Sequence, residues 1–343
     1  MSEREFDVVI LGAGPAGEVC AGRLGESGLS VAIVEPHLLG GECSYYACMP
    51  SKALLRPGEL LAEARRIPGV REAVTGGLDT AAVLKRRDEI VHDLDDSSQE
   101  PWLADRGVTL VREHGRLDGE RRVRAGDDTL VARRAVVVAT GTTALLPPID
   151  GLREAKPWTN REATTSKRVP ERLVILGGGV VGVEMAQAYR SLGAQVTLIE
   201  AADRLIAREE PFASDHVEQG LRELGVDVQI GVKATAVRAT HSERAAAASV
   251  PFSGEVEVEL ETGGPARGEE LLVAIGRRMN TDDIGLDSVG LEPGRPIEVD
   301  DSMRASDWLY AIGDVNGRAL LTHMGKYQAR IAADKILGPG GPC

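Results

Sequence analysis

The sequence has few cysteines, no long apolar run and no concentration of basic residues, and each of these absences excludes a class of protein. Four cysteines in 343 residues are too few for a disulfide framework. No stretch approaches the roughly 20 apolar residues that a helix needs to span a bilayer, so no membrane partner is expected. A net charge of −13 leaves no basic patch to neutralise phosphates, so no nucleic-acid partner is expected.

The N-terminal segment also lacks the pattern of an export signal. Residues 1–11, MSEREFDVVIL, are acidic at their start and continue directly into a strand, so they do not predict a signal peptide. With few cysteines and no such signal, the predicted compartment is the cytoplasm.

A Gly-rich turn between two apolar strands is the first informative feature that is present. Residues 6–35 are typical of strand, turn, helix and strand, with glycines at Gly12, Gly14 and Gly17 and an acid, Glu35, at the end of the second strand. In such a turn the first glycine makes the tight bend, the second lets the backbone approach a pyrophosphate, and the third lets helix and strand pack closely. The acid accepts hydrogen bonds from a ribose diol, so the segment predicts a dinucleotide site.

The same pattern occurs again in the second half of the chain. Gly177, Gly179 and Gly182 are followed by a helix and by a strand that ends at Glu200, and the acid follows the first glycine by the same distance in both copies (35 − 12 = 23 and 200 − 177 = 23). One such turn is a weak signal, whereas two in the same context predict that one chain binds two dinucleotides. The carboxylate of the second copy favours NADH and leaves NADPH possible.

The remaining segments predict an α/β fold in which one domain is inserted into the other. A chain of 343 residues, 43% of them apolar, is too long for one ordinary core and predicts two domains. Gly and Pro punctuate residues 140–151, where the chain passes into the second domain, and apolar strands near 270–279 and 307–313 return it. We therefore predict two Rossmann-like dinucleotide-binding domains, with the second inserted into a discontinuous first domain.

Two cysteines lie close together in GGECSYYACMPSK, residues 40–52. Pro50 fits the first turn of a helix, which places Cys48 at a helix N-terminus that favours a thiolate. Cys43 and Cys48 could be a redox couple, two packed core residues or half of a metal site. Zinc would need two further ligands at suitable spacing, and Cys20 and His37 do not supply them, so no metal ion is predicted. The redox couple is favoured.

These features, in this order, make the sequence resemble the flavoprotein disulfide reductases. The doubled Gly-rich turns are accompanied by Cys-x4-Cys with PSK, by ATG at 139–141, by GRR-x-NT at 276–281 and by YAIGD at 310–314. The resemblance covers residues 5–338. It implies that the first site holds FAD and that the second holds a nicotinamide cofactor, NADH or NADPH.

The resemblance also implies the domain bounds and the site residues. The implied FAD-binding domain has two parts, 1–147 and 271–338, around an NAD(P)H-binding domain at 148–270, and a flexible tail follows at 339–343. For FAD the family pattern assigns Gly12, Gly14, Gly17, Glu35 and Asp314, and for the nicotinamide nucleotide it assigns Gly177, Gly179, Gly182 and Glu200. Further cofactor-binding positions by the same pattern are Gly41, Gly115, Thr140, Gly141, Gly276 and Arg277.

The implied catalytic residues form two pairs. Cys48 corresponds to the sulfur that faces the flavin, and Cys43 to the sulfur that exchanges with the substrate. Lys52 and Glu184 match the family's ion pair beside the flavin. A surface-exposed Glu184 without this role is the alternative.

The sequence departs from the family pattern in three places. Tyr45-Tyr46-Ala47 replaces the usual N-x-G spacer, and the two tyrosines predict a narrowed substrate side and a substrate other than lipoamide or glutathione. Glu42 stands where the family usually has Thr. Family members continue for roughly another hundred residues, a domain length, as a dimerisation domain with a His–Glu acid–base pair. No histidine before Cys343 matches that pair. Because residues 1–343 do not include a counterpart of the dimerisation domain, no oligomeric state is predicted.

The predicted function is that of an enzyme, an FAD-dependent pyridine nucleotide-disulfide oxidoreductase. It would pass a hydride from NAD(P)H through FAD to a Cys43–Cys48 disulfide and on to a disulfide or another small acceptor. One alternative is a flavin reductase or electron-transfer flavoprotein, with a quinone, oxygen or protein acceptor, in which the cysteine pair is not essential. The other is a non-catalytic flavin-binding interaction protein.

Overall fold

The structure is a computed structural model that describes residues 2–239 and 255–338. The predicted tail, 339–343, lies outside the described residues. The chain divides into two compact units. The first unit comprises Met1–Tyr45, Leu94–Thr143 and Arg278–Cys343, and the second comprises Tyr46–Asp93 and Ala144–Arg277.

Helices and strands alternate along much of the described chain. The α-helices are α1 (Pro15–Glu26), α2 (Gly41–Tyr45), α3 (Cys48–Arg66), α4 (Thr80–Ile90), α5 (Glu100–Ala104), α6 (Asn160–Thr165), α7 (Val180–Ser191), α8 (Pro211–Leu224) and α9 (Thr322–Leu337). The strands are β1 (Glu3–Leu11), β2 (Val31–Val34), β3 (Val108–Val111), β4 (Gly115–Leu117), β5 (Arg122–Ala125), β6 (Asp128–Val138), β7 (Thr142–Ala144), β8 (Arg172–Leu176), β9 (Gln195–Glu200), β10 (Asp227–Ile230), β11 (Ala234–Ala239), β12 (Val256–Leu260), β13 (Ala266–Gly268), β14 (Glu270–Val273), β15 (Arg277–Met279) and β16 (Leu309–Ala311).

The first unit is built on a seven-stranded sheet of order β3-β2-β1-β6-β5-β4, in which β16 also pairs with β6. Strands β1, β2, β3, β6 and β16 are parallel, whereas β4 and β5 add an antiparallel extension. The run Val8–Leu11 is buried, and Ile10 lies between Ile33 of β2 and Val137 of β6. A continuous apolar run of this kind is typical of parallel strands covered on both faces.

The two faces of this sheet have separate cores. On one face, side chains of α1 and α9, including the fully buried Cys20 and Ala329, pack with Ile10. On the other face, Val9 and Leu11 pack with Leu117 of β4 and with Ile284. Burial raises the pKa of the Cys20 thiol to about 12, so Cys20 is a packing residue.

The second unit contains a parallel sheet of order β10-β9-β8-β14 and a separate antiparallel sheet of order β11-β12-β13. In the parallel sheet, Leu176 at the end of β8 pairs with Ile199 of β9 and with Val273 of β14. The carboxyl ends of these three strands therefore meet at one edge, where ligands bind in open α/β sheets.

The second unit includes a segment that the predicted boundaries place in the FAD domain, residues 46–93. Leu54 of α3 and Leu84 of α4 lie in one buried cluster with Met185 and Tyr189 of α7. Because their apolar faces are buried against α7, α3 and α4 pack with the second sheet. The assignment of the two cofactors to these ranges stays a prediction.

The α/β fold class with Rossmann-like sheets is confirmed. Within the residues that the structure describes, no helix is both long enough and apolar enough to cross a membrane. The cytoplasmic compartment stays a prediction.

Candidate functional site

The first Gly-rich turn joins β1 to α1, and its three glycines differ in the space that a side chain would have. Gly12 has a φ of +100°, and a Cβ there would lie 2.4 Å from the carbonyl oxygen of Ala139. A Cβ at Gly17 would lie 2.0 Å from the carbonyl oxygen of Gly12. A Cβ at Gly14 would meet nothing within 4 Å. Gly12 and Gly17 are therefore required by packing, whereas Gly14 leaves open space in front of the N-terminus of α1.

The second Gly-rich turn joins β8 to α7, and the space around its three glycines follows the same pattern. Gly177 has a φ of +108°, and its Cβ would lie 2.4 Å from the carbonyl oxygen of Ala274. A Cβ at Gly182 would lie 1.8 Å from the carbonyl oxygen of Gly177, and one at Gly179 would meet nothing within 4 Å. The open space at the middle glycine therefore occurs at both helix N-termini, where backbone N–H groups favour an anion.

Glu35 and Glu200 hold the two turns in the same way. Glu35 accepts hydrogen bonds from the N–H groups of Ala13 and His37, each at 2.9 Å. Glu200 accepts from the N–H groups of Gly178 and Ala202, at 2.5 and 2.7 Å. A carboxylate has about four acceptor positions, so both acids keep capacity for ribose hydroxyls. The open middle glycines and these acids fit a dinucleotide in each unit.

Other predicted FAD residues lie around the first turn in the same unit. Gly41 has a φ of +55°, and its Cβ would lie 3.0 Å from the Cα of Gly14. Gly115 begins β4 where a Cβ would meet the Leu11 side chain at 2.5 Å. Both glycines are therefore close to the end of β1, and substitution at either would fill space beside the turn.

Thr140 and Gly141 follow β6, at the same edge of the sheet, and one asparagine holds both. The Thr140 hydroxyl donates to the Asn280 carbonyl at 2.8 Å, and the Asn280 N–H donates to the Gly141 carbonyl at 2.9 Å. Asp314, after β16, accepts from the Thr142 hydroxyl at 2.7 Å. These predicted residues thus belong to one hydrogen-bonded edge.

Two groups of residues that hold this edge have no motif in the sequence. Gln328 of α9 is 3% exposed, and its Oε1 accepts from the Gly313 N–H at 2.8 Å and from the Asn316 amide at 2.9 Å. It therefore positions the turn that carries Asp314. No local pattern predicts it, because its partners lie 15 and 12 residues away on another element.

The second group holds the loop after β2. Asp96 accepts the Leu39 N–H at 2.6 Å and two hydrogen bonds from Arg112, at 2.8 and 3.0 Å. Burial alone would raise the pKa of Asp96, but the Arg112 and Leu39 hydrogen bonds hold it below its ordinary value. Asp96 is therefore an ionised anchor for the loop that leads to Cys43.

Tyr45 departs from the expectation that two tyrosines wall the substrate side. It is 1% exposed, and its hydroxyl accepts from the Gln99 side chain at 2.8 Å. The Gln99 amide also donates to the Leu39 carbonyl at 3.1 Å. The prediction is wrong for Tyr45, because its ring is long enough to reach a buried polar partner and so points into the core of the first unit.

The predicted catalytic residues lie on several helices. Cys43 is on α2 in the first unit, whereas Cys48 is the first residue of α3, and both are partly buried. Lys52, one turn after Cys48, has its Nζ 2.6 Å from Oε1 of Glu184 on α7. The side chain of Lys52 is 61% exposed and that of Glu184 is 24% exposed. With Lys52 largely exposed, such a pair contributes only about 0–1 kcal/mol to stability. The catalytic role of the pair stays a prediction.

Arg277 and Gly276 follow β14, at the edge that carries the second Gly-rich turn. The Arg277 guanidinium donates to Oδ1 of Asn160 at 3.2 Å, and Nδ2 of Asn160 donates to the Tyr46 carbonyl at 2.9 Å. Sequence motifs do not predict the role of Asn160, since Tyr46 is 114 residues away.

Glu18 in the first turn of α1 is a titratable group that no motif indicates. Burial raises its pKa to about 7; Lys326 opposes this rise and Glu35 adds to it. The first Gly-rich turn therefore has beside it a carboxyl group that changes charge near neutral pH.

Each unit thus has a parallel sheet with a Gly-rich turn and an acid at its carboxyl edge, which defines an α/β protein with two dinucleotide-type sites. The model of the family described as pyridine nucleotide-disulphide oxidoreductase matches residues 6–332. The chain belongs to this family of FAD-dependent oxidoreductases, whose members use FAD and NAD(P)H. The resemblance to flavoprotein disulfide reductases is confirmed.

Several relatives match almost the whole chain. It is 29% identical over 342 residues to mercuric reductase from Lysinibacillus sphaericus, a match that covers 98% of this chain but 61% of the relative. It is 33% identical over 345 residues to dihydrolipoyl dehydrogenase from Chlorobaculum tepidum, covering 97% of this chain and 71% of that protein. The chain therefore spans about six tenths of the length of the mercuric reductase.

A solved structure also resembles the whole chain. The Cu(II) complex of the HOCl-induced flavoprotein disulfide reductase RclA from Escherichia coli matches with a TM-score of 0.81 and 26% identity. The match covers 97% of this chain and 71% of that one.

Proposed function

We propose that this chain is an FAD-dependent NAD(P)H oxidoreductase that reduces a Cys43–Cys48 disulfide and, through it, a disulfide or another small acceptor. The observation that carries the proposal is the pair of Gly-rich turns, which share one geometry within a single chain. Two such turns can bind two dinucleotides, one that stays bound as a cofactor and one that binds and leaves in each reaction cycle. Family membership supports FAD as the first and NAD(P)H as the second.

The first unit would hold FAD. The open space at Gly14 would take the pyrophosphate and Glu35 the ribose, while Gly41, Gly115, Thr140 and the turn at Asp314 would line the rest of the cofactor. When bound, FAD supplies a ring that accepts a hydride from the nicotinamide and delivers two electrons to a disulfide.

The second unit would hold the nicotinamide nucleotide, with Gly179 at the pyrophosphate and Glu200 at the ribose. NADH is favoured, because a carboxylate at this place repels a 2′-phosphate. The guanidinium of Arg204 is already bonded to the carbonyls of Ala207 and Glu209, each at 2.7 Å, so it is not directed toward such a phosphate.

The cysteines would carry the electrons to the acceptor. NADH gives two electrons and one proton, and solvent gives a second proton, so the Cys43–Cys48 bond breaks to yield two thiols and NAD⁺. The two thiols then reduce an acceptor disulfide to two thiols and become oxidised again. The first turn of α3 favours the thiolate of Cys48, and Glu184 orients the Lys52 ammonium one turn further along.

Anaerobic titration of the FAD-loaded protein with NADH tests this proposal. We expect wild type to consume two equivalents of NADH, one for the flavin and one for the disulfide. Cys48→Ser should consume one equivalent, and the matched control Cys20→Ala, which removes a buried cysteine outside the pair, should consume two. Consumption of one equivalent by wild type would show that the cysteines are not the acceptor and would favour a flavin reductase.

A further inference from the structure

We propose that Asn160 is a positioning residue that links the nicotinamide-nucleotide site to the segment that precedes Cys48. This inference rests on the proposed function, because it assigns the nucleotide site and the cysteine pair as the two ends of the link. It predicts that nucleotide binding changes the reactivity of Cys48.

The amide of Asn160 contacts the Tyr46 carbonyl through its nitrogen and the Arg277 guanidinium through its oxygen. It begins α6 and is 5% exposed, so its polar atoms are held by protein groups. Its Nδ2 donates to the Tyr46 carbonyl at 2.9 Å, and its Oδ1 accepts from Nη1 of Arg277 at 3.2 Å. Because hydrogen bonds in a chain polarise one another, a change at either end alters the other bond.

One end of this link controls the start of α3. Tyr46 is also held by α6 through the Thr164 hydroxyl, 3.1 Å from its carbonyl oxygen, and through the Arg161 guanidinium, 4.8 Å from its ring centre. Tyr46 precedes Ala47, the N-cap of α3, and Cys48 follows directly. The orientation of the Tyr46 carbonyl therefore fixes the peptide plane that leads into the helix N-terminus and the thiol.

The other end of the link lies at the nucleotide edge. The backbone three residues before Arg277 is at this edge, because the Ala274 carbonyl oxygen would lie 2.4 Å from a Cβ on Gly177 of the second Gly-rich turn. The family resemblance assigns Arg277 itself to cofactor binding. A phosphate group bound at this edge attracts the Arg277 guanidinium, because charge-assisted bonds to phosphate are stronger than a bond to a neutral amide. The bond from Arg277 to Asn160 then weakens, and this weakening alters the bond from the Asn160 amide to the Tyr46 carbonyl.

The reverse effect follows from linkage. If the nucleotide changes the state of Cys48, the state of the cysteines changes nucleotide affinity by the same factor. Oxidation of the pair would thus alter how tightly the second site holds its ligand.

Alkylation kinetics test this inference. The probe is ADP-ribose, which has the riboses and pyrophosphate of NAD but transfers no electrons. FAD-loaded protein is reduced with dithiothreitol and treated with iodoacetamide, and modification of each cysteine is followed by tandem mass spectrometry. We expect saturating ADP-ribose to change the rate at Cys48 by about fivefold or more in wild type, a usual allosteric factor. Buried Cys20 reports any unfolding.

Variants separate the link from simple anchoring. Asn160→Ala and the isosteric Asn160→Asp both lose the donor to Tyr46, and in each the effect of ADP-ribose should fall below about twofold, less than a usual coupling. Thr164→Val removes a different bond to the same carbonyl but leaves Arg277 connected, so the effect should persist.

Calorimetry on the same samples distinguishes the two ways of failing. If ADP-ribose binds wild type without changing the rate at Cys48, or if the change survives in both Asn160 variants, the link is wrong while the nucleotide site stands. The link is also wrong if Thr164→Val abolishes the change as fully as Asn160→Ala. If ADP-ribose does not bind, the proposed function and the link fail together.

Discussion

The two Gly-rich turns have nearly the same geometry, yet the acids in the helices that follow them differ in their surroundings. In the second unit, Glu184 lies two residues after the last glycine and forms an ion pair with Lys52 at 2.6 Å. In the first unit, Glu18 lies one residue after the last glycine and is buried enough that its pKa rises to about 7. A shift of one helical position turns a side chain by about 100°. Packing therefore fixes the backbone of both turns, whereas the surroundings of the acid depend on whether it is one or two residues after the last glycine.

The largest expected effect tests the shared geometry. Gly17→Ala and Gly182→Ala would place a Cβ 2.0 and 1.8 Å from a carbonyl oxygen, so each should lower the free energy of unfolding by at least about 3 kcal/mol. The matched controls are Gly14→Ala and Gly179→Ala, which meet open space. They should cost less than about 1 kcal/mol, the loss at an N-cap, while weakening nucleotide binding. Urea unfolding and ligand titration measure the two quantities, and equal destabilisation in all four would refute the comparison.

The next effect concerns the ion pair of the second unit. Lys52→Met removes a positioned charge, and we expect it to lower the rate of NADH-dependent acceptor reduction by about 10²-fold. The melting temperature should change little, because the Lys52 side chain is 61% exposed. Stopped-flow kinetics and thermal unfolding give both values. An unaltered rate would leave Lys52 and Glu184 as surface residues.

A smaller effect concerns Glu18. Its carboxyl group holds a proton more tightly in the folded chain than in the unfolded chain. The stability that proton binding at Glu18 gives the folded chain is therefore complete at low pH, and it is lost as the pH rises from 4.5 through about 7. Near the low end of this pH window, Glu18→Gln should have the same free energy of unfolding as wild type. Above it, the variant should be more stable by on the order of 2 kcal/mol, measured by urea unfolding on either side of the window. Parallel pH profiles would contradict the role of Glu18.

The smallest effect concerns Tyr45. Tyr45→Phe keeps the buried ring but removes the acceptor for the Gln99 amide, so it should cost about 1 kcal/mol of stability. Since the ring is buried, the KM for the acceptor should not change. A large change in KM with unchanged stability would restore Tyr45 as part of the substrate side.

The parts of the site that sequence predicts are those made by local chain geometry. The glycines and the two acids follow strands at fixed offsets, so their turns are recognisable from spacing. The residues that anchor the neighbouring segments cannot be recognised in this way. Asp96 bonds to Leu39 across 57 residues, and Asn160 bonds to Tyr46 across 114. Such contacts depend on how sheet edges and helices pack. The prediction for Tyr45 is wrong for a related reason, because sequence spacing does not reveal the direction of a side chain.

The stoichiometry of nucleotide binding tests the central claim most directly. Protein loaded with FAD is titrated with NAD⁺ by isothermal calorimetry, and its FAD content is measured by absorbance after denaturation. Two dinucleotide sites in one chain predict one FAD and one NAD⁺ per chain, with Gly179→Ala weakening NAD⁺ binding while FAD is retained. Displacement of FAD by NAD⁺, or a total of one nucleotide per chain, would contradict the account.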